Sequence, residues 1–71
     1  MNSQYETTII ATRLLGQKID DVFTTLKEIR DLLPNLSPAE RGQILGELVL
    51  QWDKLEDANS ECSNLIENLK S

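Results

Sequence analysis

The stretch LLPNLSPAERG, residues 32–42, contains both prolines of the chain and separates two long amphipathic segments. Pro34 disfavours helical geometry at the residue before it, so a helix should end there. Ser37 and Glu40 have the spacing of a capping box, in which each side chain accepts a hydrogen bond from the other residue's backbone amide. Pro38 then takes the first helical position, where its missing N–H costs nothing. The stretch therefore predicts a short break between two helices.

The predicted fold is all-α, with a first helix over about residues 3–33, a turn over 34–37 and a second helix over 38–70. Residues 7–10, TTII, oppose the helical pattern, because β-branched side chains lose rotamer freedom in a helix. A strand there would have no partner strand. We therefore expect a helix that frays at its first turn.

The chain has 71 residues, which allows a single domain at most, and a domain of this size is marginally stable alone. Small domains gain stability from disulfides, a structural metal or oligomerisation. Cys62 is the only cysteine, which excludes a disulfide within the chain, and the absence of histidine argues against a zinc site. Close packing or a partner must supply the stability.

Both segments repeat apolar residues at alternating steps of three and four, which places them on one side of each helix. We call these rows the α1 stripe and the α2 stripe. The α1 stripe contains Leu15, Ile19, Val22, Leu26, Ile29 and Leu33, and its spacing extends back through Thr12, Thr8 and Tyr5. The α2 stripe contains Leu45, Leu48, Trp52, Leu55, Asn59, Cys62, Ile66 and Leu69.

A short turn between two such helices predicts an antiparallel hairpin with coiled-coil-like packing. Residues facing each other across it have numbers that sum to about 70 or 71, so Leu26 meets Leu45. In this register the polar members of the two stripes coincide. Asn59 and Cys62 face Thr12 and Thr8, and form one polar layer within the seam.

This polar layer has two alternative explanations. A buried Asn59 needs hydrogen-bond partners, which Thr12 can supply, and a single buried asparagine can determine the register and oligomeric state of a coiled coil. Alternatively, the open end of the hairpin is simply more hydrated. Cys62 itself is interpreted as a small buried apolar side chain.

The chain carries more apolar residues than one seam uses, which indicates an interface. We expect the hairpin to complete a three- or four-helix bundle, either by homodimerisation or by docking on helices of another protein. The candidate partner-binding residues are Ile9, Ile10, Leu14, Phe23, Val49, Leu50 and Leu65.

The composition argues against most other classes of function. A net charge of −5 with scattered basic residues argues against nucleic acid binding, and no apolar run is long enough to cross a membrane. Without histidine there is no Ser-His-Asp or Cys-His arrangement, and no motif predicts a cofactor. A lone thiol and no export signal predict a cytoplasmic or nuclear protein.

Three functions follow in order of preference. The first is a non-enzymatic protein–protein interaction module, such as an adaptor, co-chaperone or inhibitor subunit, that binds partner helices through its apolar flank. The second is a self-contained homodimeric four-helix bundle with a structural or regulatory role, acting through its acidic face. The third is a phosphatase-like helix pair that uses exposed carboxylates. Alanine at Asp20, Asp21, Asp53 and Asp57 would leave the first function unaffected and abolish the third.

Overall fold

The chain is all α-helical in a computed structural model, which describes residues 3–71. Helix α1 spans Ser3–Leu32, a single 3-10 turn spans Leu33–Asn35, and helix α2 spans Pro38–Lys70. The prediction of an all-α chain with two helices is confirmed, and the helix bounds lie within one residue of those expected.

Helix α1 continues without interruption through the TTII stretch at residues 7–10. The hydroxyl of Thr8 donates to the carbonyl of Gln4 at 2.7 Å, and the hydroxyl of Thr12 donates to the carbonyl of Thr8 at 2.8 Å. Each threonine therefore satisfies its side-chain donor within its own helix. Such back-bonding is mildly unfavourable to a helix.

The break between the helices begins at the residue before Pro34, where a proline disfavours further α-helix. Ser37 is extended, with φ −69° and ψ 162°, and caps α2. Its backbone N–H donates to Glu40 Oε1 at 2.8 Å, while the Glu40 N–H donates to Ser37 Oγ at 3.2 Å. The predicted capping box is confirmed, with Pro38 as the first helical residue.

No residue in the described range 3–71 is buried. The hairpin in which the stripes pair stays a prediction, and in each helix by itself the stripes are open, with Leu55 39 % exposed. The physical reason is that one helix offers its own side chains no opposing surface. Six side chains are half-buried: Ile9, Ile29, Leu33, Leu36, Ile44 and Leu48.

The chain divides into two compact units between Asn35 and Leu36, one containing α1 and the other α2. Each helix is therefore described by itself. The prediction that residues 1–71 form one hairpin domain stays a prediction.

Candidate functional site

The predicted partner-binding residues of α1 are open to solvent, apart from the half-buried Ile9. Ile10 and Leu14 lie one helical turn apart and form a small apolar pair. Phe23 lies on the same side as Ile9 but fourteen residues further on, which is about 21 Å along the axis. Within α1 these four side chains do not form one continuous patch.

Phe23 is 59 % exposed, but its ring is not bare. The ammonium of Lys27 lies 4.6 Å from the ring centroid, one turn further along the helix. Such a cation–π contact is worth about 0.5–1 kcal/mol at an exposed site. A partner that packs on Phe23 must therefore displace or share the Lys27 side chain.

On α2 the predicted partner-binding residues are also exposed, but they lie on different edges of the helix. Val49 and Leu50 are adjacent in sequence and point about 100° apart, and Leu65 lies about 22 Å further along the axis. The continuous apolar feature of this helix is the α2 stripe itself.

The sequence reasoning missed Trp52 and Leu45 as candidate surface residues, since it assigned both to the inside of the seam. They are 62 % and 64 % exposed. Their position on the stripe is compatible with either an internal seam or an external interface. Only the structure shows them open to solvent.

The four residues of the predicted polar layer are all exposed in the described chain. Thr8 and Thr12 direct their hydroxyl protons to their own helix, which leaves their oxygens as acceptors. Cys62 is an exposed free thiol in the described chain, and its place inside a closed seam stays a prediction.

The charges of the two helices differ. Helix α1 has five acidic and four basic residues, and Arg30 forms an ion pair with Asp31 at 3.3 Å. Helix α2 has seven acidic and three basic residues, and its Lys70 lies 3.8 Å from Glu67. The acidic surplus of the chain therefore comes mainly from α2.

The hydrogen bonds that Glu40 accepts stabilise the charge on its carboxylate. The backbone N–H of Ser37, followed by the Ser37 hydroxyl, lowers the pKa of the Glu40 carboxyl from its ordinary value. These bonds favour the ionised carboxylate, so the first turn of α2 is most stable when Glu40 is charged.

Among residues 3–71, no group of three or more His, Cys, Asp or Glu side chains has an arrangement that would hold a metal ion. No helix within this range is both long and apolar enough to cross a membrane.

Comparison with known proteins finds no matching family, no similar curated protein and no similar solved structure.

Proposed function

We propose that this chain is a non-enzymatic interaction module whose apolar flanks, beside the stripes, bind helices supplied by a partner. One observation carries the proposal: two amphipathic helices of 30 and 33 residues leave no described side chain buried. The proposed site of action is a reducing compartment, the cytosol or nucleus, which suits a free thiol at Cys62.

The energetic argument concerns what stabilises the helices. Most helical stability in proteins comes from packing an amphipathic face, and propensity alone leaves helices marginal in water. Within residues 3–71 the stripe side chains remain in contact with solvent. Covering a Leu or Ile side chain fully contributes about 1.5–3 kcal/mol, so closing the stripes is the largest stabilisation open to this chain.

We further propose that the two helices pair as an antiparallel hairpin when the module assembles. Charge supports the register in which paired residue numbers sum to about 70. Residues 7–19 of α1 carry two basic side chains, Arg13 and Lys18, and no acidic one. The register places them opposite residues 51–63 of α2, which contain four acidic residues and one lysine.

A homodimeric four-helix bundle is the second candidate. It is favoured by the presence of exposed apolar side chains beside both stripes, such as Phe23 on α1 and Val49 on α2. Two hairpins would cover these flanks mutually, and the acidic residues would form the outer face of the dimer.

The first test is the solution mass of the purified full chain over a dilution series, measured by light scattering on a sizing column with circular dichroism of the same fractions. For an interaction module we expect a chain that is incompletely helical and without a defined dimer when alone. A stable, fully helical monomer at all concentrations would overturn the proposal. A helical dimer that persists on dilution would establish the second candidate.

A pair of variants links the result to the stripe. Leu48→Ser removes a stripe side chain, and Leu50→Ser removes the same side chain from a candidate partner-binding position away from the stripe. Because serine has the same helix propensity at both sites, a stripe-dependent assembly should weaken much more in L48S than in L50S. Equal effects would indicate that the outer edge of α2 contributes as much as the stripe.

A further inference from the structure

We draw no further inference here: the strongest candidate, the patch of exposed apolar residues beside the stripes, such as Phe23 on α1 and Val49 on α2, carries nothing beyond the proposed function, because nothing in the described residues 3–71 shows what covers it.

Discussion

Ser37 and Glu40 cap the start of helix α2 reciprocally. Ser37 Oγ accepts a hydrogen bond from the Glu40 amide at 3.2 Å, and Glu40 Oε1 accepts one from the Ser37 amide at 2.8 Å. These two bonds satisfy two of the backbone N–H groups that a helix start leaves without partners. Since no side chain of residues 3–71 is buried, such local contacts contribute an unusually large share of helix stability.

Replacement of Ser37 by alanine should lower the stability of α2 by about 1 kcal/mol, because the Glu40 amide loses its acceptor. The measurement is helix content by circular dichroism during thermal unfolding. Ser63→Ala is the matched control, since Ser63 is exposed in mid-helix and alanine is the better helix former there. If S37A and S63A unfold alike, the cap contributes nothing in solution.

The capping box should make helix α2 sensitive to acid. The pKa of Glu40 is lowered in the folded chain, so its contribution is present above the ordinary glutamate range and is lost as pH falls through the folded pKa. We expect helix content to fall on acidification more in the natural chain than in Glu40→Gln, which keeps an acceptor for the Ser37 amide. Identical pH profiles of the two chains would contradict this.

Asn59→Leu should raise the stability of the assembled protein while broadening its assembly states, since the apolar side chain removes the polar constraint on register. The measurement is the distribution of solution mass, alongside thermal unfolding. Thr12→Val is an informative companion, because it removes the side-chain oxygen that the predicted register places opposite the Asn59 amide. A single unchanged species for N59L would favour simple hydration of that end of the hairpin.

Cys62 should report whether the seam has closed. The thiol is exposed in the described chain, so a thiol reagent should modify it readily when the chain is alone and dilute. Pairing of the stripes would bury it and slow the reaction severalfold or more. A rate that is the same in the free and assembled states would place Cys62 outside the interface.

Gly42 and Gly46 test whether anything approaches the backbone of α2 closely. A Cβ added at either glycine meets no atom within 4 Å. Each glycine-to-alanine change should therefore stabilise the helix by about 1 kcal/mol, measured by thermal unfolding. Gly16→Ala on α1 is the comparison. Should G42A or G46A instead weaken binding of a helical partner, that partner packs directly over the glycine.

The sequence by itself determined the secondary structure of this protein. Pro34, Ser37 and Glu40 act through bonds and steric clashes within a few residues, so the end of α1 and the start of α2 follow from local chemistry. The same holds for the heptad spacing, which places the apolar residues on one side of each helix whatever surrounds it. The TTII stretch was the exception, because its β-branched residues oppose the helix that its neighbours favour.

Only the tertiary structure decided which side chains are covered. The spacing of Trp52 and Cys62 predicted an inward position, yet both are exposed, because a stripe specifies a side of a helix and not what lies against it. The direction of the Thr8 and Thr12 hydroxyls and the position of Lys27 over Phe23 were likewise absent from the pattern. Burial depends on a second surface, and nothing in the spacing of one helix states whether that surface belongs to the same chain.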